Sequence, residues 1–225
     1  MQRFIIGLAF GLSLLPGWPT QAQTPQPNLN AKRPAPPRRL PPNNSKPGGG
    51  LDPSAQSCGA TQYPLTALIP TQNPVLTATP HPTFLIYVPD QPQDIQTATF
   101  SILSADSKQR LYQTTVPLTA PGIVKIQLPQ TPQMALEQDK SYHWHFDLDC
   151  QPGRVTERLN VNGWVTRVAA ASNALLWYDA LADLSQTLQS EPGNVEVRDR
   201  WLSLLKSAGL ENLPQATTFT PQVQN

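Results

Sequence analysis

Apolar and polar residues alternate through the middle of the chain. From Tyr142 to Cys150, aromatic and apolar side chains alternate with His and Asp without a break, which predicts a strand with one buried face. Other short runs rich in β-branched and aromatic residues are separated by proline-rich or polar turns. The predicted strands are Leu65 to Ile69, Val75 to Thr79, Thr83 to Val88, Thr97 to Leu103, Leu111 to Leu118, Ile123 to Leu128, Tyr142 to Cys150 and Val155 to Val168, the last bending at Gly163.

This spacing of strands and turns is typical of an antiparallel β-sandwich. The approach to Tyr142 also resembles the tyrosine corner of immunoglobulin-like and fibronectin-type folds, where a tyrosine bonds to backbone a few residues upstream. We therefore expect a mainly β fold, with an immunoglobulin/fibronectin-like antiparallel β-sandwich over residues 58–170. The predicted core is Phe84, Ile86, Phe100, Ile102, Val124, Ile126, Leu128, Tyr142, Trp144, Phe146, Leu148 and Val161.

Near Ala174 the spacing of apolar residues changes from two to about 3.6, which predicts helices. Pro192-Gly193-Asn194 separates two apolar stripes, and Gly209 stands where a left-handed residue ends a helix. We expect an α-helical hairpin over residues 171–210 and a disordered tail over 211–225. The stripes are Trp177, Leu181, Leu184 and Leu188, and then Val197, Trp201, Leu204 and Ala208.

The N-terminus has the order of a secretory signal peptide, predicted over residues 1–22. Arg3 precedes an apolar run from Phe4 to Leu15, and the small-residue motif Thr20-Gln21-Ala22 follows. An apolar run this short favours cleavage over a permanent anchor, because a spanning helix needs about 20 residues. We expect a protein of the periplasm or of the secreted or envelope fraction, with no integral membrane segment after cleavage.

Residues 23–57 are predicted to be a disordered, proline-rich and basic linker. Five Lys and Arg lie between positions 23 and 50 without an acidic residue, whereas the rest of the chain from Leu51 has ten against fifteen Asp and Glu. Such a segment buries too little apolar surface to fold. It could be a solvated spacer or a tether to an anionic polysaccharide. The acidic body disfavours nucleic acid as a partner.

The two cysteines, Cys58 and Cys150, are too far apart for a CxxC redox or metal motif. In an exported protein a disulfide between them is the natural interpretation, and two free thiols are the alternative.

Several segments together resemble a family of exported cyanobacterial proteins, domain-of-unknown-function family 928. The resemblance implies an exported protein with this fold and carries no established activity. The matching segments are Gly48-Gly49-Gly50-Leu51-Asp52-Pro53, Cys58, Pro64-Leu65-Thr66-Ala67-Leu68-Ile69-Pro70, His81-Pro82-Thr83-Phe84, Tyr142-His143-Trp144, Cys150, Gly163-Trp164-Val165 and Trp177-Tyr178-Asp179-Ala180-Leu181.

The outer face of the strand beginning at Tyr142 has the most distinctive chemistry. His143, His145, Asp147 and Asp149 stand in one row there. Two histidines two residues apart on a strand can bind zinc or copper if a third ligand converges, and His81 is the only other histidine. A polar face in contact with solvent is the alternative.

The sequence contains no GxSxG, HExxH, P-loop or GxGxxG motif, and we predict no catalytic residue and no cofactor. These observations favour a non-enzymatic binding or interaction module, with an envelope protein or an anionic polysaccharide as its partner. The alternatives are a hydrolase of envelope glycans or polymers and a metal-binding envelope protein.

Overall fold

The computed structural model describes residues 40–48, 56–59, 61–154, 156–170, 174–214 and 219. Within these residues each predicted strand is present, with ends that differ from the prediction by at most a few positions. The strands are β1 (Thr66–Ala67), β2 (Leu76–Thr77), β3 (Thr83–Val88), β4 (Ile95–Leu103), β5 (Arg110–Thr115), β6 (Gly122–Gln127), β7 (Ser141–Cys150) and β8 (Arg158–Arg167). The predicted hairpin is formed by α1 (Trp177–Ser190) and α2 (Val195–Ser207).

The strands form two sheets, one in the order β1-β3-β6 and one in the order β2-β8-β7-β4-β5. Neighbouring strands are antiparallel except at one edge, where β2 runs parallel to β8. The expected purely antiparallel arrangement is therefore wrong at this edge. Parallel pairing needs a long connection, and here nearly the whole β domain lies between the two strands in the chain.

The two sheets share one apolar core. All the predicted core side chains are buried, and Trp144 is only 1% exposed. Phe84 of the smaller sheet lies 4.9 Å from Phe100 and 5.6 Å from Trp144 of the larger sheet, measured between ring centroids. The hydroxyl oxygen of Tyr142 accepts a hydrogen bond of 3.0 Å from the backbone N–H of Glu137, the contact expected of a tyrosine corner.

Gly163 lies in closely packed surroundings. The register of β8 on β7 is regular through this residue, and the bend expected there stays a prediction. A Cβ atom at Gly163 would lie 2.4 Å from Cδ1 of Ile69 and 3.0 Å from Cζ2 of Trp144. Without a Cβ at this position, the side chains of Ile69 and Trp144 can lie against the backbone of β8.

The helical hairpin packs on the outer face of the three-stranded sheet, a contact that the sequence alone does not predict. Leu85 of β3 and Ile123 of β6 point away from the shared core and form a second apolar cluster with the helices. Lys125 of β6 is buried on the same face, 3% exposed, and its amine donates to the side-chain oxygens of Gln186 and Gln189 on α1.

The first turn of α1 is attached to the sheets by consecutive side chains. The indole N–H of Trp177 donates to the carbonyl of Leu68 at 2.9 Å. The carboxylate of Asp179 accepts from the hydroxyl of Thr77 at 2.7 Å and from the backbone N–H of Ala78 at 2.6 Å. These bonds set the position of the helix because they join it to two segments, one just after β1 and one at the end of β2.

Tyr178, between these two residues, enters the shared core. Its ring packs 5.2 Å from that of Phe84. Its hydroxyl accepts from the indole N–H of Trp144 at 2.8 Å and donates to the carbonyl of Trp164 at 2.9 Å. One oxygen atom thereby joins α1, β7 and β8.

The predicted linker differs from expectation where the structure describes it. In residues 40–48, Asn43 is 3% exposed, and its side-chain oxygen accepts from the backbone N–H of Trp164 at 2.8 Å. Asn44 forms a β-bridge with Asn162 of β8. This part of the linker is therefore ordered. Residues 1–39, with the predicted signal peptide, lie outside the described residues.

At the other end, Leu213 and Phe219 of the predicted tail pack against the helical cluster. Most of the rest of that tail lies outside the described residues.

A disulfide joins Cys58, before β1, to Cys150 at the end of β7, and both residues are 4% exposed. This pairing agrees with the prediction.

Candidate functional site

The outer face of the five-stranded sheet holds the predicted row of His and Asp. Along β7, buried residues alternate with half-buried ones, and His143, His145, Asp147 and Asp149 take the half-buried positions. The pairing register of β8 places one further side chain beside each of them. Those neighbours are Trp164, Asn162, Asn160 and Arg158, in the same order.

Hydrogen bonds connect these side chains across the two strands. The amide of Asn160 donates to Asp147 at 2.9 Å, and the amide of Asn162 donates to the side-chain oxygen of Asn160 at 2.8 Å. Arg158 forms an ion pair of 2.5 Å with Asp149. The arginine is exposed, so this pair adds little to the free energy of unfolding. The network nevertheless holds each side chain in one orientation.

The two histidines form the centre of this face. Nε2 of His145 lies 3.2 Å from Nδ1 of His143, which is also 2.9 Å from the hydroxyl oxygen of Ser107. On its other side, Nε2 of His143 lies 3.2 Å from the side-chain oxygen of Asn162. That oxygen can only accept, so His143 carries its proton on Nε2 and directs the Nδ1 lone pair toward His145.

Burial lowers the pKa of both histidines. For His143 the bond to Asn162 opposes this effect. For His145 the neighbouring His143 and Arg110 lower the pKa further, whereas Asp147 raises it. Both rings are therefore expected to be neutral at neutral pH.

Trp164 supports His143 from the side. Their rings stack with centroids 4.4 Å apart and planes 6° from parallel. Sequence reasoning did not select Trp164, Asn160, Asn162 or Ser107. The alternation Asn160-Val161-Asn162 does place both asparagines on one face. Their closeness to Asp147 and His143 depends on the register between strands, which no pattern within one strand contains.

A metal site at this face stays a prediction. His81, the only other histidine, is engaged elsewhere, with its Nε2 3.0 Å from the carbonyl of Thr131. In the part of the chain that the structure describes, no group of three or more His, Cys, Asp or Glu is arranged to hold a metal ion.

Asp90 is a buried carboxyl group that the sequence did not indicate. It is 1% exposed, and burial raises its pKa. One oxygen accepts from the backbone N–H of Gly59 at 2.7 Å, next to the disulfide. This bond ties Asp90 to the loop around Cys58.

Two clefts of about 210 Å³ each are found in other parts of the surface. One is lined by Leu111, Met134 and Leu136 beside β5, and the other by Tyr63, Leu210 and Leu213. Neither contains a predicted site residue, and both are smaller than a typical small-molecule pocket of roughly 300 Å³ or more.

Comparison with known proteins identifies a family and nothing more detailed. A family model described as Domain of Unknown Function (DUF928) matches residues 45–176 and 171–218. Neither the curated proteins nor the solved structures include a match. None of the helices in the described residues is long and apolar enough to cross a membrane.

Proposed function

The chain belongs to the domain-of-unknown-function family DUF928, and on that premise we propose that it is an exported, non-enzymatic binding protein of the cell envelope. Export is supported by the order of Arg3, the apolar run from Phe4 to Leu15 and Thr20-Gln21-Ala22. The disulfide between Cys58 and Cys150 is consistent with this location, because such bonds persist in oxidising compartments.

The proposal includes an immunoglobulin-like sandwich as the scaffold. Ring contacts between Phe84 and Phe100 support two sheets packed face to face. The bond from the backbone of Glu137 to Tyr142 supports the same family of folds, in which a tyrosine corner recurs. A rigid sandwich of this kind can present a flat sheet face to a large ligand.

The connected polar network on the five-stranded sheet is the observation that carries the binding function. A solvated strand face needs no fixed side chains, yet Asp147, Asn160, Asn162 and His143 are joined in one hydrogen-bonded chain. Groups held in place before binding lose less conformational entropy when a ligand arrives. This arrangement favours recognition over simple solvation.

The chemistry of the network fits the hydroxyl groups of a polysaccharide. Carboxylate, amide and imidazole groups offer both donors and acceptors, which a sugar hydroxyl can satisfy in either role. The two carboxylates of the row, Asp147 and Asp149, are matched by two cations, Arg158 beside the row and Arg110 near His145. A face with balanced charge suits an uncharged polymer, whereas the basic residues between positions 23 and 50 would add attraction for an acidic one.

Export and binding are tested separately. For export, we expect to find the native protein in the periplasmic or culture fraction. Its sequence should begin after Ala22, and its cysteines should resist alkylation until the disulfide is reduced. A cytoplasmic protein with free thiols at Cys58 and Cys150 would contradict the proposed location.

Binding is measured by affinity electrophoresis of the mature protein in neutral and acidic envelope polysaccharides. We expect Asp147→Ala to weaken retention at least tenfold, because it removes the acceptor of Asn160. Asp199→Ala, an exposed carboxylate on α2, is the matched control and should bind as the wild type does. Equal retention of both variants would show that this face of the sheet is not the binding site. Release of reducing sugars from the polysaccharide would show that the protein is a hydrolase and not a binding protein.

A further inference from the structure

We propose that His143 and His145 together bind a divalent transition-metal ion, Zn²⁺ or Cu²⁺, at the outer face of the five-stranded sheet. Nδ1 of His143 and Nε2 of His145 are 3.2 Å apart. Two nitrogen ligands of one tetrahedral ion, each at about 2.0 to 2.1 Å, are separated by about 3.3 to 3.4 Å. The two nitrogen atoms are therefore spaced as two ligands of one ion are.

The surroundings orient His143 as a ligand. Metal-bound histidines usually donate their second ring N–H to a fixed acceptor, which sets the tautomer and the ring orientation. Here Nε2 of His143 donates to the oxygen of Asn162, and Asn162 is itself held by its bond to Asn160. Stacking on Trp164 restrains the same ring from the side. Nδ1, which faces His145 and Ser107, is left as the unprotonated nitrogen of that ring.

The charges around the pair do not oppose a cation. Asp147 offsets the charge of Arg110 near His145, so the ion does not meet an uncompensated positive charge.

The site has room for ligands from outside the chain. The hydroxyl of Ser107 lies 2.9 Å from Nδ1 of His143 and is a weak additional donor. Since no third His, Cys, Asp or Glu of the described residues completes the group, water or a bound molecule fills the remaining positions. We therefore expect micromolar rather than tighter binding. This inference does not depend on polysaccharide binding, because an ion can be titrated with no other ligand present.

The test is calorimetric titration of ZnCl₂ and CuCl₂ into the mature, disulfide-bonded protein from which any affinity tag has been removed. We expect one saturable site for the wild type. His145→Gln should weaken it at least tenfold, whereas His81→Gln, which changes the histidine bonded to Thr131, should leave it unchanged. Binding that survives in His145→Gln, or no saturable binding up to millimolar metal, would overturn the proposal.

A gain-of-ligand variant tests the geometry in the opposite direction. Ser107→His adds a third imidazole from the hairpin between β4 and β5, and we expect at least tenfold tighter zinc binding. With Cu²⁺, electron paramagnetic resonance should show two coordinated imidazole nitrogens in the wild type and fewer in His145→Gln. Unchanged affinity in Ser107→His, in a variant with wild-type circular dichroism, would contradict the convergence of these atoms.

Discussion

Replacing Tyr178 by phenylalanine removes one oxygen atom from the middle of the core. In the native protein that hydroxyl accepts from the indole of Trp144 and donates to the carbonyl of Trp164. Burial raises the pKa of Tyr178 far above its usual range, so the hydroxyl keeps its proton and fills both roles at any ordinary pH. After Tyr178→Phe, two buried polar groups have no partner. Each costs about 1 to 3 kcal/mol, so we expect the free energy of unfolding to fall by about 2 to 6 kcal/mol.

Urea denaturation followed by tryptophan fluorescence measures this loss as a lower midpoint at an unchanged slope. Tyr63→Phe, at a half-exposed tyrosine, is the matched control and should change the free energy of unfolding by less than about 0.5 kcal/mol. Combining Tyr178→Phe with Trp144→Phe removes the indole N–H that would otherwise be left without an acceptor. The free energy of unfolding of the double variant should therefore fall by less than the sum of the two single losses. A loss below about 0.5 kcal/mol in Tyr178→Phe, or strictly additive losses, would refute the shared hydrogen bond.

Three other substitutions probe features of the packing by the same denaturation assay. Gly163→Ala should cost about 1 to 3 kcal/mol because its Cβ has no room, whereas Gly193→Ala, with nothing within 4 Å, should be neutral; equal effects would contradict the close approach. Burial lowers the pKa of Lys125, so the unfolded chain binds more protons between that pKa and 10.5, and stability should rise with pH in this window. Lys125→Met should abolish this rise and leave stability at neutral pH equal or about 1 kcal/mol higher; a large loss would mean that the buried charge is stabilising. Replacing Cys58 and Cys150 together by alanine opens a loop with a sequence separation of 92 and should cost about 4 to 5 kcal/mol; an unchanged midpoint would show that the bond contributes nothing.

Local patterns were sufficient for the elements and for the side chains of the shared core. The alternation in β7 predicted its inward Trp144 and outward His143, since successive side chains of a strand point to opposite faces whatever lies beyond. The stripe through Trp177 and Leu181 predicted α1 for the same kind of reason. The tyrosine-corner contact of Tyr142 was also predictable, because it joins residues that are close in the chain.

Patterns were not sufficient for contacts between distant segments. Lys125 looks like a solvent-facing residue of β6 until α1 is placed over it, and the parallel edge of β2 on β8 depends on where the chain returns. Residues 40–48 look like a linker by composition, yet Asn43 fills a position beside Gly163 that only the folded sheet creates.

The candidate site shows the same division. The row from His143 to Asp149 follows from the two-residue period of one strand and can therefore be predicted from the sequence. The partners that orient it, Asn162 and Ser107, come from a neighbouring strand and a neighbouring hairpin. The pairing register of the strands and the position of the hairpin are both set when the two sheets pack around one core. The closeness of Asn162 and Ser107 to His143 therefore depends on the folded protein and not on any single segment.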